Sequence, residues 1–354
     1  MKKRVRREEE KKMKKEMLNE IFSEYGIRLI KEVGKEVFLI DYLKEPGEKQ
    51  VLKVIDISER AKQEANERYS EDTVKKLFGI IHGNELIWNE KITLTQCEYM
   101  VRILEDYIIG GADEERFLYA IRMPYYRTLS MVCEEDGMDE NKIIGMGIDI
   151  CNALRTLHHN GTKEFYQNET VRFGTSLHLD IKPDNIYLEE KDGQKTFMLG
   201  DFGTVIEKGT RALPMRSKGF YAPEMEELNN YPTEAADIFM LGMVLYWCVC
   251  DKKEAAEDFW KTRFLNKEVS IPANCSPHLW KVIEKATRTE AEQRYQSAIE
   301  MLSALQRVNV NKTIVAEVMK EKYETKSTFD SVVKLMEAGI PISQFWGKIK
   351  KMFI

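Results

Sequence analysis

Apolar residues in this chain keep one rhythm as far as Met123 and a different one beyond it. "IRLIKEV", "EVFLIDYL" and "VLKVIDI" are short β-rich runs, with turns expected at Gly34-Lys35 and in "KEPGEKQ". Two stretches of helical composition follow, "SERAKQEANERYSEDTVKKLFGIIHG" and "NELIWNEKITLTQC", and then two more strand-like runs, "MVRILEDYII" and "RFLYAIRM". After Met123, "NKIIGMGIDICNALRTLHHNG", "EAADIFMLGMVLYWCVC" and "SPHLWKVIEKATRT" carry apolar residues at helical spacing. A smaller β-rich half is thus followed by a larger α-rich half, which implies an α+β chain of two lobes.

The expected divisions are a charged extension over 1–26, a first lobe over 27–124, a second over 125–308 and a helical tail over 309–354. The opening "MKKRVRREEEKKMKKEMLNE" reads as a helix solvated nearly all round. In the tail, Phe345, Trp346, Met352 and Phe353 stand in a basic setting. They suit packing on the chain's own lobe, and equally a partner or membrane-surface contact.

Composition narrows the class. Charged residues make up 32% of the 354, and the formal net charge of −5 gives nucleic-acid binding no support. Six cysteines at irregular spacing form no CxxC pair, against a zinc knuckle or a disulfide framework. "IFMLGMVLYWCVC" is too short to span a bilayer, so no transmembrane segment is expected and the location reads as cytoplasmic.

The chemistry lies in "HLDIKPDNIYL" at 178–188 and "LGDFGT" around Asp201. Phosphoryl transfer needs a carboxylate to orient an attacking hydroxyl, cations to spread charge off the γ-phosphate, and oxygen ligands for magnesium. Asp180, Lys182 and Asn185 supply those groups on one proline-containing loop. Asp201, after an apolar run, suits a hard cation that seeks oxygen.

"HLDIKPDN", "DFG" at 201–203 and "APE" at 222–224, in that order, resemble the signature set of the eukaryotic-like (Hanks-type) Ser/Thr protein kinases. The resemblance covers roughly residues 27–308 and implies the bilobal kinase fold, with ATP and Mg2+ as cofactors and a protein Ser or Thr hydroxyl as acceptor. Residue by residue, it implies Asp180 as the base, Lys182 on the transferred phosphate, and Asn185 and Asp201 on the metal. Lys53 would hold the α- and β-phosphates. Gly34, Val37 and Val51 would lie over the nucleotide and Tyr187 below it, with Met123 as gatekeeper and Pro124, Tyr125 and Tyr126 as hinge. Glu90 is the preferred partner of Lys53, with Glu85 and Glu71 as alternatives. Asp237 would anchor the catalytic loop, and Arg294 would pair with Glu224.

The chain departs from that family in four places. Only Gly34, Lys35 and Glu36 precede Val37, so the Gly-rich loop is shorter by about four residues. Weaker phosphate clamping follows, and Glu36 would add repulsion. Leu179 replaces the arginine before the catalytic aspartate, which removes one cation that would receive a phosphate on Thr204, Thr210 or Ser217. Control by activation-loop phosphorylation is therefore not expected. Residues 162–175 are an insertion best read as a peripheral hairpin, and the 309–354 tail lies outside the core. The Lys182-Pro183 pair resembles the Ser/Thr branch. The alternative is a pseudokinase scaffold gated by nucleotide, with weak or no transfer.

Overall fold

The computed structural model describes residues 14–34, 36–56, 97–110, 118–158, 163–166, 169–172, 175–211, 217–226, 231–250, 253–265, 267 and 269–308. The chain divides into two units, Met1–Gln96 with Arg102–Tyr126, and Cys97–Val101 with Arg127–Ile354.

In the first unit a helix over 14–23 (α1) precedes strands β1 (Ile27–Gly34), β2 (Val37–Tyr42), β3 (Gln50–Asp56), β4 (Glu105–Ile109) and β5 (Leu118–Pro124). They form one antiparallel sheet in the order β1-β2-β3-β5-β4. Alternation sends Phe38, Ile40, Tyr42, Leu52, Val54, Leu118 and Ala120 into one core cluster, joined by Ile27, Leu29 and Tyr107. Helix α1 contributes Leu18 and Phe22 to this cluster, both at 0% exposure, with Met17 and Ile21 packed beside them. This corrects the expectation of a helix solvated all round, at least over 14–23. Met17, Leu18, Ile21 and Phe22 form a narrow stripe at helical spacing that the surrounding charge conceals. Burying the Leu18 and Phe22 side chains stabilises the unit by about 1.5–3 kcal/mol each.

Two further expectations shift at their edges. β1 runs to Gly34 and β2 starts at Val37, so the connection is Lys35-Glu36 rather than Gly34-Lys35. The run "MVRILEDYII" is strand only from Glu105. Before it, Val101 N–H donates to the Leu199 carbonyl at 2.8 Å and Leu199 N–H to the Tyr99 carbonyl at 2.9 Å, so these residues pair within the second unit.

The second unit is built on helices. Those the site depends on are α2 (Leu129–Glu135), α3 (Glu140–His158), α4 (Glu234–Cys250), α5 (Lys253–Phe264), α6 (Pro277–Ala286) and a helix over 298–308 (α7). Helix α4 is apolar nearly all round and buried along most of its length, as a central helix must be. Gly242 lets α6 approach it, since a Cβ there would lie 2.8 Å from Ala286 Cβ and from Thr287 Cγ2. Helix α6 starts at an N-cap, Ser276, whose Oγ accepts from Leu279 N–H at 3.2 Å.

Short strands carry the loops. β6 (Arg127–Thr128), β10 (Ile186–Lys191) and β11 (Gln194–Leu199) form one small sheet. Asp192 (φ 51°) and Gly193 (φ 77°) close the β10–β11 hairpin with positive φ at both turn positions, the geometry that matches strand twist. β7 (Lys163–Tyr166) and β8 (Glu169–Arg172), both within the 162–175 insertion, pair antiparallel, as a hairpin there requires. β9 (Ser176–Leu177) pairs with β12 (Ile206–Glu207). Residues 178–185 therefore leave from β9 and enter β10, while Asp201 lies between β11 and β12. Two strand pairings bring those loops together. Among the described residues no helix is long and apolar enough to cross a membrane.

Candidate active site

In the first unit, strand register decides which side chains share a face. Val37 stands opposite Lys53, and Lys53 opposite Ile121. Leu39 stands opposite Val51, and Val51 opposite Met123. Directly opposed residues lie on one face, so Val37, Val51, Lys53 and Met123 line the side of the sheet away from the core cluster, with Gly34 paired to Val37 at its end. Tyr125 is different. Its N–H donates to the Lys49 carbonyl at 2.9 Å, within its own unit. Glu90, with its alternatives Glu85 and Glu71, lies outside the described residues.

In the second unit Asp180 collects three donors. Its Oδ2 accepts from Lys182 Nζ at 2.7 Å and from Asn185 Nδ2 at 2.9 Å, and its Oδ1 accepts from the Ser217 hydroxyl. Lys182 Nζ also donates to Ser217 Oγ at 3.0 Å. Asn185 Nδ2 donates as well to the Asp180 carbonyl at 2.8 Å. Both contacts of the amide nitrogen are to acceptors, which orients the amide and directs its oxygen away from Asp180. The Asn185 carbonyl accepts from Gly200 N–H at 3.0 Å, placing the residue before Asp201 against the 178–185 loop. Gly200 has to be glycine, because a Cβ would lie 2.8 Å from Val101 Cγ2 and 2.9 Å from Tyr187 Cε2. Asp201 itself adopts φ 64° and leads into a 3-10 turn over Phe202–Thr204.

A buried carboxylate holds this loop in shape. Asp237, at the start of α4 and fully buried, accepts from His178 N–H and Leu179 N–H at 2.8 Å each, and its Oδ2 lies 2.8 Å from His158 Nε2. Burial opposes its charge, yet the His158 hydrogen bond, the nearby imidazoles and the Leu179 N–H hold its carboxyl below the usual range. Burial pushes the His178 imidazole down, so it stays neutral inside the loop. The His178 ring meets Phe202 edge-on at 5.5 Å, and its carbonyl accepts from Thr204 Oγ1 at 2.8 Å. Leu179 is buried at φ 61°, an unfavourable backbone for leucine that the Asp237 bond stabilises.

A carboxylate, a cation on its oxygen, an oriented amide and a second carboxylate on an adjoining loop are the parts phosphoryl transfer requires. The sequence matches the protein kinase domain over residues 42–324. The chain belongs to the protein kinase family. Several of the proteins it resembles are named serine/threonine-protein kinases. It is 32% identical over 130 residues to a membrane-associated tyrosine- and threonine-specific cdc2-inhibitory kinase, wee-1.3, of Caenorhabditis briggsae, covering 35% of this chain and 17% of that protein. It is 30% identical over 156 residues to the serine/threonine-protein kinase PknA of a Nostoc species, covering 39% and 26%. A third relative, the serine/threonine-protein kinase ppk13 of Schizosaccharomyces pombe, is 27% identical over 191 residues, covering 43% and 55%. The match thus spans at most about half the length of these relatives.

Arg294 and Glu224 form the expected pair, with two parallel bonds of 2.8 Å. The guanidinium is fully buried and also donates to the Arg288, Ala235 and Thr289 carbonyls. Sequence reasoning missed the role of Ser217, treating it only as a phosphate acceptor. Its sole signal is a hydroxyl shortly before "APE". It missed His158 too, where nothing in "TLHHNG" says which histidine turns inward.

Proposed function

We propose that this kinase transfers the γ-phosphate of Mg-ATP to Ser or Thr hydroxyls of protein substrates. The observation that carries the reading is the Ser217 hydroxyl, which donates to Asp180 while Lys182 reaches the same oxygen. A substrate hydroxyl presented the same way gives its proton to Asp180 as its oxygen bonds to the γ-phosphorus and the bond to ADP breaks. Lys182 is suited to the charge on the transferred group, and Lys53 is assigned to the α- and β-phosphates.

The donors fit a divalent cation. The Asn185 amide oxygen and the Asp201 carboxylate are hard oxygen ligands, and magnesium takes one or two such side chains, filling its shell with phosphate oxygens and water. When bound, it neutralises charge on the phosphates.

Phosphate control of the activation segment is not part of this proposal. Thr204 Oγ1 is bonded to the His178 carbonyl and Ser217 Oγ to Asp180, so a phosphate on either would displace a contact of the site. The 309–354 tail, with its suggested partner or membrane contact, lies outside the described residues.

The two-residue β1–β2 connection favours the second reading, a scaffold that binds nucleotide without turnover. Transfer from γ-labelled ATP separates the two. Label on the chain itself or on a generic Ser/Thr substrate, lost in both Asp180→Ala and Lys53→Ala, supports the kinase. Mg-ATP binding with no label from the intact protein sinks it.

A further inference from the structure

The shortened hairpin raises a physical question, because it places a carboxylate where the family keeps a flexible glycine loop. β1 is an edge strand whose pairing with β2 shifts register between Leu29 and Lys31 and again between Glu32 and Gly34. At the first shift helix α1 serves the strand's backbone. Asn19 Oδ1 accepts from Leu29 N–H at 2.7 Å, and Lys15 Nζ donates to the Ile30 carbonyl. At the tip, Glu36 takes φ 59° while its carbonyl accepts from Val54 N–H at 2.8 Å, which extends the ladder to the turn. Its side chain is tied back to α1, with Lys14 Nζ 3.1 Å from Glu36 Oε1. Leu18 and Phe22 seat the helix in the core, so these polar contacts start from a firm base.

We infer that α1 is a positioning element for the nucleotide, and that Lys14 is its positioning residue. Asn19 and Lys15 stiffen the hairpin where glycines would have left it loose, and Lys14 neutralises Glu36 so that its carboxylate does not repel the polyphosphate. The inference rests on the reading that this chain binds Mg-ATP at the β1–β2 hairpin. It makes the residues before β1 part of the nucleotide-binding unit.

The test is a charge cycle on the full chain, read by calorimetric Mg-ATP binding and by KM and kcat for ATP. Lys14→Ala weakens ATP binding and raises KM about three- to tenfold at low salt, leaves kcat unchanged, and loses its effect as salt screens the exposed charges. Glu36→Ala costs no affinity, the double variant behaves like Glu36→Ala, and the swap of Lys14→Glu with Glu36→Lys restores wild-type KM. Equal affinity for Lys14→Ala and wild type, or additive effects in the double variant, overturns the role of Lys14. A second arm measures hydrogen exchange. Asn19→Ala should speed exchange of the Leu29 amide about tenfold at unchanged Tm, as expected when a local opening is released without global unfolding. An unchanged rate overturns the brace. If the wild type binds no Mg-ATP, the kinase reading fails, while the exchange arm still decides whether α1 holds the hairpin.

Discussion

Asp180 holds donors on both of its oxygens, and each can be removed separately. Ser217→Ala deletes the donor to Oδ1, and one hydrogen bond to a charged group is worth enough to lower kcat/KM on the order of tenfold. Ser217→Thr keeps the hydroxyl and should retain most of the activity, so steady-state kinetics of the two variants test the contact. Glu224→Ala acts elsewhere. It strips the carboxylate hydrogen-bonded to the fully buried Arg294 and should cost about 3–5 kcal/mol in urea unfolding. Arg294 would keep its three carbonyl acceptors, but they carry no net charge to balance the guanidinium. At this scale the sequence proposed Asp180, Lys182, Asn185 and Asp201 by residue type and spacing. It could not show that Ser217 turns into the site, because that depends on a segment that returns to Asp180 from 37 residues away.

At the scale of elements, packing between α4 and α6 depends on an absent side chain. Gly242→Ala puts a methyl 2.8 Å from Ala286 and Thr287, and this overpacking should lower stability by about 1–3 kcal/mol in a thermal melt. Helix α3 carries a liability of the opposite kind. Asp149 accepts from Phe197 N–H at 2.9 Å, and burial, with the Glu98 charge adding to it, pushes its carboxyl up to about 6. Because this pKa is raised above the unfolded value of 3.8, the folded state holds the extra proton between them, and stability falls as pH rises through that window. Asp149→Asn should therefore melt higher than wild type at pH 7.5, by about 1–2 kcal/mol once partial exposure is allowed for. The gap should narrow at pH 5. The rhythm of apolar residues identified α3, α4 and α6 and the strands β1, β2, β3 and β5. It failed at Met100–Leu104, where strand-like composition precedes β4 but the backbone at Tyr99 and Val101 bonds with Leu199 instead.

For the whole molecule the expectation is linkage. Mg-ATP at a hundred times its Kd should stabilise the protein by about 2.7 kcal/mol, seen as a higher Tm. Chelating the metal with EDTA should remove most of that shift. Neither effect should survive in Lys53→Ala and Asp201→Ala together. By itself the sequence determined the family and the order of β-rich and α-rich halves, and it singled out the candidate reacting groups, since these depend on residue type, spacing and periodicity along the chain. Tertiary structure alone decided that α1 belongs to the core of the first unit, that the amide of Tyr125 bonds to the Lys49 carbonyl, that Leu179 turns inward and that Ser217 meets Asp180. Each of these depends on which distant backbone or side chain offers the better partner, and local pattern carries no record of that choice.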